Sequence, residues 1–185
     1  MELRDKNGLT EREFLASYDA GKYPRPSLTA DVAIVARTPE GARRLLLIRR
    51  GGHPHLGRWA LPGGFANKNE PLEQTAAREL LEETGVSGVS LRLVGVFSKP
   101  GRDPRGWTVT GAYMAEVEAG SVRAEAGDDA AEARWFDVLA DGDRLTLRGA
   151  ADTLTIDGGA EAAPDGPKIA FDHAEIIAAA LRMTE

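Results

Sequence analysis

Glu79, Glu82 and Glu83 follow one another at intervals of three and one residues in a segment whose pattern reads as helix. On a helix advancing about 100° per residue, these glutamates share one face about 100° wide. Ala76, Ala77, Leu80 and Leu81 gather on another face, which is expected to pack. Carboxylates at i, i+3 and i+4 cost an isolated helix roughly 0.2–0.5 kcal/mol per like-charged pair. A divalent cation would reverse that cost. Hard carboxylate oxygens, with no Cys and no clustered His, select Mg²⁺ or Mn²⁺ over zinc, and Mg²⁺ combines a few carboxylates with the phosphates of its substrate. The ordinary alternative is a solvated acidic face, so the residues around the helix must decide.

The elements that position this face are legible. Pro62, Gly63 and Gly64 stop regular structure, Pro71 marks the first turn of a helix running to about Thr84, and Gly85 ends it. Before the helix, residues 28–36 and 44–49 are β-branched or leucine-rich runs that read as two strands joined by a turn, with a third apolar group at 59–61. After it, residues 90–97, 108–117 and 133–136 have strand lengths and extend a mixed sheet. Residues 145–147 and 153–156 form a small hairpin, 158–166 is a Gly, Ala and Pro-rich mobile loop, and 172–181 is a closing helix. Residues 1–26 read as a polar leader with a short helix around 11–18. The expectation is one α/β domain over 27–185, with no repeat and no long linker.

Composition narrows the function. A chain of 185 residues with 42% hydrophobic content has material for a real core. Its 23 Lys and Arg against 29 Asp and Glu give a net charge of -6, which lacks the footprint of a general nucleic-acid binder. The absence of cysteine removes disulfides, thiolate nucleophiles and zinc-thiolate sites. No early apolar run resembles a signal peptide or a membrane span, so a cytoplasmic protein with no membrane partner is expected.

The string GFANKNEPLEQTAARELLEETGV over residues 64–86 resembles the Nudix box at every defining position: Gly64, Glu70, Arg78, Glu79, Leu80, Glu82, Glu83, Gly85 and Val86. Seven fixed identities alone would match a given window by chance in roughly one per 10⁸ cases. The resemblance covers residues 27–138 and implies an α/β/α sandwich with a mixed sheet carrying the loop, helix and loop of the box. It further implies metal-dependent hydrolysis of a diphosphate joining a nucleoside to another group. Glu79, Glu82 and Glu83 become metal ligands by this resemblance, joined by a backbone carbonyl of Gly63 or Gly64. Arg78 orients a box glutamate, and Glu70 braces the loop. Divalent ions neutralise the phosphate oxygens, lower the pKa of water and stabilise the leaving phosphate. The family's base is often a later Asp or Glu, and among Glu125, Asp128, Asp129 and Glu132 the reading favours Asp128 or Asp129.

Substrate signals lie outside the box. The runs SKPGRDPRGWTVTGAY and AFDHAEII resemble the ADP-ribose pyrophosphatase branch, with Pro100 close to that branch's marker proline. Arg102 and Arg105 are expected at the diphosphate or the terminal ribose, since a guanidinium fork takes phosphate oxygens in pairs. Arg50, Phe171 and His173 complete the expected substrate contacts, with Asp172 as an N-cap. His53 and His55 have no third soft ligand and read as loop residues. The expected reaction converts ADP-ribose to AMP and ribose 5-phosphate, with NADH, dinucleoside polyphosphates and oxidised nucleotides as rivals. Resemblance also implies a homodimer. Residues 141–166 are an insertion relative to that branch, read as a passive loop in preference to a lid or dimer contact. A second class is a non-catalytic sensor of an NAD metabolite, but only residues beyond about 138 could supply a DNA-binding module, and they hold one convincing helix.

Overall fold

The structure is a computed structural model that describes residues 2–127, 130–161 and 168–184. The run from Ala30 to Ala36 is buried without alternation, the pattern of a strand covered on both faces. It forms β1 (Ser27–Arg37), which lies at the centre of a mixed ten-stranded sheet. β1 pairs in parallel with β6 (Thr108–Glu118) along its whole length, from Ser27 opposite Thr108 to Arg37 opposite Glu118. On its other side it meets β2 (Arg43–Arg50), and β2 meets β7 (Ala130–Asp141), both antiparallel. Short strands β3 (Trp59–Ala60) and β4 (Gly63–Phe65) pair with β2 and β1, respectively, and β5 (Arg92–Phe97) closes the β6 edge.

Two large cores result, one on each face of the sheet, with a small third cluster of Ile48, Ala60 and Ala170. α2 (Leu72–Thr84) packs Ala76 and Leu80 against Ala30, Val32, Ile34 and Leu46. α3 (His173–Arg182) packs Ile176, Ile177 and Leu181 against Ala33, Val35, Leu45, Leu47 and Phe136. This is the expected α/β/α sandwich. α1 (Glu11–Ser17) is closed by a capping box between Thr10 and Glu13 and buries none of its residues.

Three sequence expectations change. β7 extends well beyond the expected 133–136, because it is sandwiched between β2 and β8 (Arg144–Arg148). Within 141–166 the expected hairpin over 145–147 and 153–156 forms, so the stretch is not a passive loop as far as it is described. β8, β9 (Thr153–Asp157) and β10 (Ala160–Glu161) continue the same sheet, and Leu147, Leu154 and Ile156 join the core beneath α3. Residues 162–167 of that expected loop lie outside the described residues. On α2, Ala77 and Leu81 face solvent, and the packed stripe instead runs through Thr75, Ala76, Leu80, Glu83 and Thr84. The helix lies against the sheet about one position round from where its apolar residues alone would place it, which carries Glu83 inward. Among the described residues, no helix is long and apolar enough to cross a membrane.

Candidate functional site

α2 begins at Pro71, whose extended backbone serves as N-cap, and stops at Gly85 in the left-handed region (φ 70°), where glycine avoids a Cβ penalty. The helix thus presents Arg78, Glu79, Glu82 and Glu83 beside the 63–65 strand. Glu83 is only 8% exposed, and its Oε2 accepts the Gly63 N–H at 2.8 Å. Burial drives its carboxyl pKa up to about 8, against the lowering effect of that hydrogen bond, and the Glu79 charge adds to the rise. Burial also raises the Glu79 pKa, opposed by the hydrogen bond from Arg78. Gly64 is required by close approach: a Cβ there would stand 2.5 Å from the Glu79 carboxyl carbon.

Arg78 ties the box together. Its Nε donates to Glu70 Oε1 at 2.9 Å, its Nη1 to Glu79 Oε1 at 2.6 Å and Glu82 Oε2 at 2.9 Å, and its Nη2 to the Phe65 carbonyl at 3.0 Å. Hydrogen bonding from Arg78 holds the Glu70 carboxyl down at about 2. Glu70 Oε2 also accepts the Asn67 N–H at 2.9 Å, so the loop before α2 is fastened to the helix.

A cleft of about 610 Å³ opens beside these groups, lined by Arg50, Gly64, Phe65, Glu79, Glu83 and Arg105 among others. Glu79 and Glu83 are therefore brought together, whereas Glu82 turns to Arg78 and does not line it. Among the described residues, no three Asp, Glu or His side chains converge closely enough to form a metal cage. The donor set nevertheless fits a hard divalent cation: two crowded carboxylates, one of them buried, stand at a glycine turn where no side chain intrudes. Such a cation takes its remaining oxygens from backbone carbonyls, water and substrate phosphate.

The arginines divide. Arg105 lines the cleft half-exposed, held by Asp103 (Nε to Oδ1 3.0 Å, Nη2 to Oδ2 2.8 Å) and lying 4.6 Å from the Phe65 ring centroid. Arg50 donates through Nε to the Pro54 carbonyl at 2.8 Å and sits 5.0 Å from the Phe171 ring centroid. Arg102 is buried and commits its fork to Asp172, with Nε to Oδ2 at 2.8 Å and Nη2 to Oδ1 at 2.6 Å. Asp172 accordingly makes no side-chain cap on α3, contrary to the sequence expectation. His173 is buried, and its Nδ1 accepts the Leu61 N–H at 2.9 Å; burial lowers its pKa and keeps the ring neutral. Phe171, in the left-handed region at φ 53°, meets the His55 ring edge-on and the His173 ring at a tilt, with the Arg50 guanidinium over its face.

Asp128 and Asp129 lie outside the described residues. Just before them, Gly127 donates its N–H to the Glu83 carbonyl at 3.1 Å, and just after them Ala130 lines the cleft. Glu132 is paired with Arg134. Sequence reading missed Asp31, a buried carboxylate in β1 whose Oδ2 accepts the Thr110 hydroxyl at 2.7 Å. The signal was present: a lone acid inside the apolar run LTADVAIVA.

A mixed sheet between helices, with a glutamate-bearing helix set on a glycine turn, places the protein in the class of Nudix-type α/β/α sandwiches. The NUDIX domain model matches residues 27–148, and the chain belongs to that family. It is 35% identical over 155 residues to the ADP-ribose pyrophosphatase of Methanocaldococcus jannaschii, covering 84% of this chain and 73% of that protein. It is 41% identical over 113 residues to the ADPR responsive transcriptional repressor NtrR of Acinetobacter baylyi, covering 60% of this chain but only 45% of the repressor. The crystal structure of a MutT/nudix family protein from Enterococcus faecalis superposes with a TM-score of 0.85 at 39% identity, covering 95% of this chain and 69% of that one.

Proposed function

We propose that this protein is a divalent-cation-dependent hydrolase that splits the diphosphate of ADP-ribose into AMP and ribose 5-phosphate. The observation that carries the reading is the convergence of Glu79 and Glu83 with Arg50 and Arg105 on one cleft. Carboxylates there would hold Mg²⁺ or Mn²⁺, with the Gly64 carbonyl as a further ligand and Glu82 as another once it leaves Arg78. The cation supplies charge neutralisation at the phosphates and a water of lowered pKa. Arg105 and Arg50 take phosphate oxygens, and Asp128 or Asp129 accepts the proton of the attacking water. Similarity to the M. jannaschii pyrophosphatase over most of the chain supports ADP-ribose as the substrate.

Turnover of ADP-ribose, GTP, dinucleoside tetraphosphate and NADH with Mg²⁺, followed as release of the nucleoside monophosphate from each, tests the assignment. ADP-ribose should be hydrolysed fastest, and equal or faster turnover of any other would refute it. The repressor similarity favours a second reading, a domain that binds ADP-ribose without cutting it. Tight ADP-ribose binding with no AMP release in Mg²⁺ or Mn²⁺ would establish that reading instead.

A further inference from the structure

Asp31 stands among Ala30, Val32, Ala33 and Ile34, all with no exposed surface, so its burial demands compensation. Partners come from three directions. Thr110 of β6 donates to Oδ2 at 2.7 Å, Arg102 Nη2 lies 3.5 Å from Oδ2, and His173 Nε2 lies 3.5 Å from Oδ1. Because His173 Nδ1 accepts the Leu61 N–H, the proton of the neutral ring resides on Nε2, facing Asp31. At 3.5 Å this is an electrostatic contact and not a short hydrogen bond.

The far end of this chain of contacts is the glycine turn. Three consecutive residues of the turn are pinned: the Leu61 N–H by His173, the Pro62 carbonyl by the Val32 N–H at 2.8 Å, and the Gly63 N–H by Glu83. Asp31 also packs directly under the turn, since Gly63 is its register partner and a Cβ there would stand 2.7 Å from Oδ1. Asp31 and His173 together fix where the Gly63 N–H points, and that N–H fixes the Glu83 carboxylate.

We infer that Asp31 and His173 are positioning residues, a buried relay that holds the 61–64 turn in place and thereby sets the cation affinity of the Glu79 and Glu83 pair. The metal end of this inference rests on the hydrolase reading above; the turn-holding end does not. Groups that orient metal ligands are commonly worth about 10–100-fold in affinity.

The test uses His173→Leu, His173→Asn and Thr110→Val in the full chain. Mn²⁺ affinity is measured by electron paramagnetic resonance without substrate, and hydrogen exchange of the Leu61 and Gly63 amides is measured in EDTA. His173→Leu should weaken Mn²⁺ binding about tenfold and speed exchange at both amides. Its loss of turnover should be recovered by raising Mn²⁺. His173→Asn, which keeps an acceptor close to the position of Nδ1, should restore most of both properties. If His173→Leu does not fold, Thr110→Val removes one bond to Asp31 and should weaken Mn²⁺ binding and speed exchange at both amides in the same direction. A folded variant with unchanged Mn²⁺ affinity and unchanged exchange at Leu61 and Gly63 overturns the relay, whatever its thermal stability. Should the wild-type protein bind no Mn²⁺, the hydrolase reading fails, and the amide exchange still decides whether the relay holds the turn.

Discussion

The main-chain N–H of Gly63 donates to Glu83 Oε2 at 2.8 Å, joining the turn before the box to the last turn of its helix. This bond keeps a buried carboxylate from being wholly unpaired, yet burial still dominates its ionisation. The sequence placed Glu83 on an exposed acidic face; the structure places it on the packed side of α2, which makes it the most consequential of the box glutamates.

Glu83→Gln retains an acceptor for Gly63 and removes a charge from a poorly hydrated place. The expected result is an unchanged circular dichroism spectrum, a melting temperature in EDTA equal to or above wild type at pH 8, and turnover reduced by several orders of magnitude. A variant retaining a tenth of wild-type activity would exclude a metal-ligating role.

The raised pKa of Glu83 has a definite sign. In the folded, metal-free protein this group holds its proton up to pH about 8, whereas the unfolded chain releases it near the ordinary glutamate value of 4.5. Between those values the folded state binds more protons, so its contribution to stability is full below pH 4.5 and is lost as pH rises to about 8. Chemical denaturation in EDTA should therefore show a downward slope over this window that Glu83→Gln abolishes. Cation binding at pH 7 should release protons, detectable by calorimetry in buffers of differing ionisation enthalpy.

Arg102 and Arg105 should behave as different kinds of residue. Arg105→Ala removes a half-exposed guanidinium from the cleft and is expected to raise KM for ADP-ribose about tenfold, the effect of one charged hydrogen bond of 1.5–3 kcal/mol at its lower end, with little change in melting. Arg102→Ala removes both hydrogen bonds from the part-buried carboxylate of Asp172 and the neighbouring cation from the buried Asp31, and should cost about 3 kcal/mol of stability. Urea denaturation beside steady-state kinetics separates them, and a stable Arg102→Ala with a raised KM would reverse the assignment.

Gly64→Ala is the smallest change with a large expected effect. The added methyl would meet the Glu79 carboxyl at 2.5–2.6 Å, so Glu79 must swing away from the cleft. Loss of cation affinity with a melting temperature near wild type is the expected outcome; full activity would mean that Glu79 need not stand where it does.

Legibility followed the range of the forces involved. The box helix and its ends could be read because proline, glycine and helical periodicity act locally: the expected stop at Thr84 and Gly85 is where α2 ends. What the sequence concealed depends on partners far along the chain. Glu83 points inward because α2 rests on β1, Asp172 gives up its capping role because Arg102 reaches it across 70 positions, and Asp31 gains meaning only beside Thr110 and His173. The hairpin over 145–147 and 153–156 could be read locally, but its joining the main sheet depends on the open edge that β7 offers.

The parallel pairing of β1 with β6 carries a kinetic consequence. Asp31 and Thr110 lie 79 positions apart, so their bond cannot form until a large loop has closed and the central strands have docked. Non-local parallel pairing of this kind is slow. A partly assembled chain can already own its glutamate helix, but the turn that aims those glutamates matures with the last long-range contacts. On the proposed hydrolase reading, a molecule whose β1 has not docked on β6 would accordingly be poor at capturing the cation, and cation affinity would report completion of the fold.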